Sequence, residues 1–229
     1  MSVTDPASRA VPASGDLHRA LHVFIHDLRT PVSVALGYLR LVREQRLSDP
    51  DMQARALQQS MESVARLSTL CEEASEYLTV HEATVADTPR CPAAQLAEAI
   101  AARASAAGLT AEIANAPTGT WTTSASSSDA MAERVAAVVA LTRHDAAEAP
   151  AGLAISWVDG QMRTTAGTAA QRAALESAPG HPVDPWRNGQ GLRLALACLD
   201  IERHGGRVWT TDDAWPAVAI DLPISAEAA

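Results

Sequence analysis

Two long runs of apolar residues at helical spacing constrain this chain more than any other feature. In the first, residues 16–42, Leu21, Ile25, Leu28, Val32, Leu36, Leu39 and Val42 recur three or four residues apart, the stripe of a long amphipathic helix that Asp16 is placed to cap. Ser48, Asp49 and Pro50 interrupt it as a turn would, with the proline suited to the start of a new helix. Over residues 51–80 the pattern resumes through Leu57, Met61, Val64, Leu67, Cys71, Ala74 and Leu78. The two segments predict an antiparallel helical hairpin. Two helices alone offer too little partner surface for stripes this wide, so a pair of hairpins is expected to form a four-helix bundle in a homodimer. The alternative is that both stripes pack onto the C-terminal half of the chain.

Beyond the hairpin the pattern changes. Residues 88–92 contain two prolines and read as a linker. An alanine-rich helix is expected over 92–107, a short strand over 109–114, a polar run over 117–128 and a second helix over 129–142. Residues 152–158 and 161–165 suit two strands joined across Asp159-Gly160, a good hairpin signal. A glycine-bearing loop at 188–191 opens a helix running to His204, and Gly205-Gly206 stops it. Residues 207–211 and 217–222 then read as paired strands, the second ended by Pro223. This half is expected to be an α/β sandwich with helices on one face of a mixed sheet. The fold class is therefore α+β, divided into a disordered stretch at 1–15, the hairpin at 16–87 and the sandwich at 88–229.

Composition narrows the chemistry. The net charge is −9 and every basic residue is arginine, which argues against broad nucleic-acid binding and excludes Schiff-base lysines and lysine-bearing phosphate loops. Cys71, Cys91 and Cys198 lack the spacing of a zinc or redox motif and suit a reducing compartment. Residues 1–15 lack the apolar core of a signal peptide, and no stretch is apolar enough to span a bilayer. A cytoplasmic protein that does not enter the membrane is expected.

The most specific motif is Phe24-Ile25-His26-Asp27-Leu28-Arg29-Thr30-Pro31. His22, His26, Arg29 and Ser33 follow one another at steps of four, three and four, a polar stripe beside the apolar one, so His26 should point into solvent. An exposed neutral imidazole has a ring nitrogen free to attack phosphorus. His22 is read as its solvated neighbour. Pro31 removes a backbone donor and is expected to bend the helix just past the histidine.

The motif resembles the phosphoacceptor box of bacterial two-component histidine kinases. That resemblance implies a dimeric helical hairpin with His26 as phosphoryl carrier and Asp27 as the hydrogen-bond acceptor or base that fixes the nucleophilic tautomer. It also puts Thr30 one turn on, where members with phosphatase activity position a water molecule, and it implies a response-regulator receiver domain as partner. Gly189-Gln190-Gly191-Leu192-Arg193-Leu194-Ala195, followed by His204-Gly205-Gly206, resembles the second glycine box of the family's ATP-binding domain. There Gly189 and Gly191 would be cofactor-binding residues of the ATP lid.

The rest of that domain departs from the family pattern. The helix at 129–142 and the two residues after it hold none of the asparagines that bind magnesium, since the chain's only asparagines are Asn115 and Asn188. Thr165-Ala166-Gly167-Thr168 stands where the adenine-binding Asp-x-Gly-x-Gly belongs, and Arg193 replaces a usual glycine. ATP and magnesium are the family's cofactors, but no evident residue holds the metal, which argues against autophosphorylation. The residues thus suit a histidine phosphotransferase that exchanges phosphoryl groups with receiver aspartates through His26. An ATP-using kinase and a non-catalytic scaffold or inhibitor remain the alternatives.

Overall fold

The two long helices start where short acidic side chains can cap them. Asp16 accepts a hydrogen bond from the backbone N–H of Arg19 at 3.0 Å and opens α1, Leu17–Arg43. Asp49 accepts from the N–H of Asp51 at 2.9 Å, and α2, Pro50–Glu82, begins with proline in its first turn. The computed structural model describes residues 15–83, 90–114, 119–125, 127–142, 152–177, 180–186, 191–211 and 217–226. Of the stretch 1–15 read as disordered, residues 1–14 lie outside these, as does Gly189 of the glycine box; Gly15 is buried, its carbonyl 3.2 Å from His81 Nε2.

The helices pack antiparallel through small side chains rather than through the apolar stripes. Ala35 of α1 and Ala56 and Ser60 of α2 are buried at the seam, where the Ser60 hydroxyl donates to the carbonyls of Ala56 (2.9 Å) and Ala35 (3.4 Å). The close approach turns the large residues outward. Leu21, Ile25, Val32, Leu36 and Leu39 of α1 and Leu57, Met61, Val64 and Leu78 of α2 are exposed in the single chain.

The remaining elements are β1 (Arg90–Pro92), α3 (Ala93–Ala106), β2 (Thr110–Ile113), β3 (Trp121–Ser124), α4 (Ser128–Thr142), β4 (Gly152–Val158), β5 (Gln161–Gly167), α5 (Ala169–Ser177), β6 (His181–Pro182), α6 (Gly191–Arg203), β7 (Arg207–Thr210) and β8 (Val218–Ala226). They form an eight-stranded mixed sheet in the order β1-β3-β8-β5-β4-β2, with β7 also on β8 and β6 on β7. The β2–β4 pair is parallel and the others are antiparallel. Asp159 (φ 49°) and Gly160 (φ 75°) both take the left-handed conformation that a two-residue hairpin turn requires. Gly206 must be glycine for another reason: a Cβ there would lie 2.7 Å from the Asp221 carbonyl oxygen. It lets β7 turn back tightly against β8 after α6.

Helices α3, α4 and α6 cover one face of the sheet around a core that includes Leu96, Ile100, Met131, Val135, Ile155, Met162, Ile201 and Ile220. On the alternate positions, Ala219 of β8 and Ala217 just before it instead meet Leu175 of α5, so a fourth helix of this half partly covers the other face. The sequence pattern gave no sign of it. Nor did it separate β1 from a linker: Arg90, Cys91 and Pro92 pair with Ser124, Thr123 and Thr122 of β3, itself concealed in the polar run. β8 does not stop at Pro223, whose carbonyl accepts from the Thr123 hydroxyl at 2.9 Å, and it runs on to pair with β3.

A second apolar cluster joins the two halves. Ala20 of α1 and Tyr77 of α2 pack with Leu192, Ala195, Leu196 and Leu199 of α6, flanked by Phe24, Ala74, Val80 and Trp186. Tyr77 is 1% exposed. Burial and the nearby Asp16 carboxylate push its phenol up to about 12. Arg203 near the end of α6 donates to the carbonyls of His81 and Ala83 at the C-terminus of α2, satisfying groups that the helix itself leaves unpaired.

Candidate functional site

The site is built on the third and fourth turns of α1, where two faces of one helix meet. His22, His26, Arg29 and Ser33 are all exposed, as their spacing predicts. Ala20, Phe24, Asp27 and Pro31 form the adjoining stripe toward α2 and α6, and Ala20 and Pro31 are buried. α1 continues through Pro31 to Arg43.

The His26 side chain is 73% exposed and that of Asp27 27% exposed, so the imidazole stands in water while its neighbour is partly held by the fold. His26 Nδ1 lies 3.0 Å from Asp27 Oδ1. A carboxylate accepts only, so with the ring neutral this contact requires the proton on Nδ1 and leaves the Nε2 lone pair facing outward. The arrangement can therefore present a nucleophilic nitrogen and stabilise positive charge on the ring after attack.

Thr30 is exposed, and with Asp27, Pro31 and Val34 it forms one wall of a groove of about 480 Å³ whose other wall includes Glu62, Ser63 and Arg66 of α2. A charged cluster unmarked in the sequence lies beside it. Glu73 Oε1 of α2 is 3.8 Å from both Arg66 Nη1 and Arg193 Nε. Burial pushes the Glu73 carboxyl above its ordinary range, the two arginines oppose this, and the Asp27 and Glu76 carboxylates add to it. The net shift is upward. The only advance signal was Arg193, a departure from the glycine pattern that here serves as an ion-pair partner.

The Glu73 shift predicts a pH dependence with a definite sign. A carboxyl with a raised folded pKa binds more protons folded than unfolded, so stability should fall as pH rises from the ordinary 4.5 through the raised value. Glu73→Gln removes that loss. Thermal melts across pH 4 to 8, a span of about four units around that range, should give a higher Tm for the variant at the neutral end and convergence in acid; a variant less stable at neutral pH would contradict the assignment.

Gly191 opens α6 with φ 66°, and its nearest described neighbour is Asp27. The α4 helix, on which the family resemblance puts the magnesium ligands, turns Val135, Val138 and Val139 into the core. Its Arg134 pairs with Asp200 of α6, Nε to Oδ2 at 3.0 Å, and donates to Glu76 of α2. Magnesium needs oxygen donors; α4 carries no asparagine, and its carboxylates, Asp129 and Glu133, are exposed. Among the described residues no group of three metal-ligating side chains converges, and no helix is long and apolar enough to cross a membrane.

A family model, the His Kinase A (phospho-acceptor) domain, matches residues 18–78. Histidine kinase ThkA, solved in complex with the response regulator protein TrrA, aligns over 87% of this chain and 59% of its own, at 13% identity and a TM-score of 0.50. The Acinetobacter baumannii histidine kinase AdeS aligns over 86% of this chain and 97% of its own at 17% identity, with a TM-score of 0.48. A bacterial phosphotransferase aligns over 95% of this chain and all of its own at 15% identity, with a TM-score of 0.40. At such identities the first likeness shows a shared fold and nothing finer. No curated protein matches the sequence.

Proposed function

We propose that this chain, whose residues 18–78 match the His Kinase A (phospho-acceptor) domain, is a histidine phosphotransferase exchanging phosphoryl groups with receiver-domain aspartates. The carrying observation is a contrast within one chain: an exposed His26 held through Nδ1 by Asp27, beside an α4 wall of valines and a paired arginine. The acceptor motif is whole in the sequence, whereas the asparagine that would hold magnesium is absent from α4.

In the proposed reaction Nε2 of His26 attacks the phosphorus of a receiver's aspartyl phosphate. The N–P bond forms as the P–O bond breaks, and the aspartate leaves as a carboxylate that needs no proton. Asp27 accepts the Nδ1 hydrogen bond throughout and offsets the positive charge on the phosphorylated ring. A second receiver's carboxylate reverses the step, breaking N–P and restoring the neutral imidazole. The receiver's acidic pocket would bring the magnesium. Thr30 lines the groove beside Asp27 and would orient water for hydrolysis of a bound receiver's aspartyl phosphate.

A second copy of the chain is the natural cover for the exposed Leu21, Ile25, Val32, Leu36 and Leu39 and the facing residues of α2, which together would close a four-helix bundle. The test of function compares two donors on the purified full chain. Label should pass to His26 from a phosphorylated receiver domain and not from ATP with magnesium. Label from ATP would make the chain a kinase and overturn the proposal.

A further inference from the structure

We propose that Gly191 is a positioning residue for His26. The role presupposes the phosphoryl transfer proposed above. A Cβ built on Gly191 would stand 3.0 Å from Asp27 Oδ2, and among the described residues it would meet no other heavy atom within 4 Å. The other oxygen of the same carboxylate, Oδ1, is the one 3.0 Å from His26 Nδ1. Asp27 is thus held between the imidazole and the first residue of a 13-residue helix. The positive end of that helix faces the carboxylate, which favours this placement.

The helix is not free to back away. Leu192, Ala195, Leu196 and Leu199 of α6 are buried against Ala20 and Tyr77 of the hairpin, so the Gly191 backbone is fixed in front of Asp27. A side chain at 191 would have to displace Oδ2, and turning the carboxylate moves Oδ1 off the ring. The imidazole would then lose the partner that keeps its proton on Nδ1.

A double-substitution cycle on the full chain tests this. Ring nitrogen chemical shifts of His26 at fixed pH report which nitrogen carries the proton, independently of any transfer. Gly191→Ala should move the ring from the Nδ1–H toward the Nε2–H form and slow uptake from a phosphorylated receiver about tenfold. Placed in an Asp27→Ala background, the same substitution should change neither quantity. The left-handed φ at 191 strains alanine with or without Asp27, so an effect that persists in the double variant is one of strain and overturns the proposal. An unchanged tautomer in Gly191→Ala overturns it too. A tautomer shift in a chain that takes no phosphoryl group would keep the positioning contact and dismiss the transfer reading.

Discussion

Replacing His26 by alanine is expected to abolish phosphoryl uptake, by about a thousandfold or more, while leaving the chain folded. No other side chain of the motif can replace the nucleophile, since Asp27, Arg29 and Thr30 offer a carboxylate, a permanent cation and an unactivated hydroxyl. The fold should not register the change. The His26 side chain is 73% exposed and its hydrogen-bond partner among the described residues is the adjacent Asp27, so stability should stay within about 0.5 kcal/mol of the parent. Label transfer from a phosphorylated receiver and a thermal melt check the two halves. A variant that still takes label shows that the phosphoryl group goes elsewhere, and one that keeps its effect on signalling without label supports the scaffold reading.

That exposure was legible because it depends on one helix. The steps from His22 to Ser33 place four polar residues on one face whatever that helix packs against, and the structure exposes all four. The Asp16 and Asp49 caps are local in the same way. Other features depend on partners far along the chain. Trp121, Thr122 and Thr123 look like part of a polar run until β8 supplies the backbone that pairs with them. Arg90 to Pro92 read as a linker for the same reason, because only β3 makes them a strand.

The glycine box shows the same limit at the site. Its sequence suggests phosphate binding, yet the close neighbour of Gly191 is Asp27, 164 positions earlier in the chain. Tyr77, Leu192 and Leu196 each fit a helical pattern, but no pattern says that they meet one another. What local reading missed is how the C-terminal half seats on the hairpin. Tyr77, Arg203 and Arg134 all take part in that seating. A donor that arrives on a separate receiver leaves this half free to stay docked, which agrees with an interface built from a buried tyrosine and paired arginines.

Arg134→Ala should therefore destabilise the chain by about 3 kcal/mol, because it removes one partner from a partly buried charge cluster and leaves the others uncompensated. Arg134 lies between Asp200 of α6 and Glu76 of α2, and the Asp200 residue is 8% exposed. Burial raises the Asp200 carboxyl, but hydrogen bonds from His204 and Arg134 outweigh it and leave the net shift downward. Burial likewise lowers His204, and its bonds to Asp200 outweigh that and leave the net shift upward. A raised histidine contributes stability that is full below its unfolded value and is lost as pH rises through the folded one. In the parent Arg134 still holds Asp200 above that point. In the variant His204 is the remaining cation beside the carboxylate, so the difference in Tm between the two should widen from slightly acid to alkaline pH. For a chain of this size the loss corresponds to a Tm lower by about 9 °C, read by calorimetry. A difference that does not change with pH would assign the cost to lost packing, and a variant as stable as the parent would show that the arginine does not fasten the two halves together.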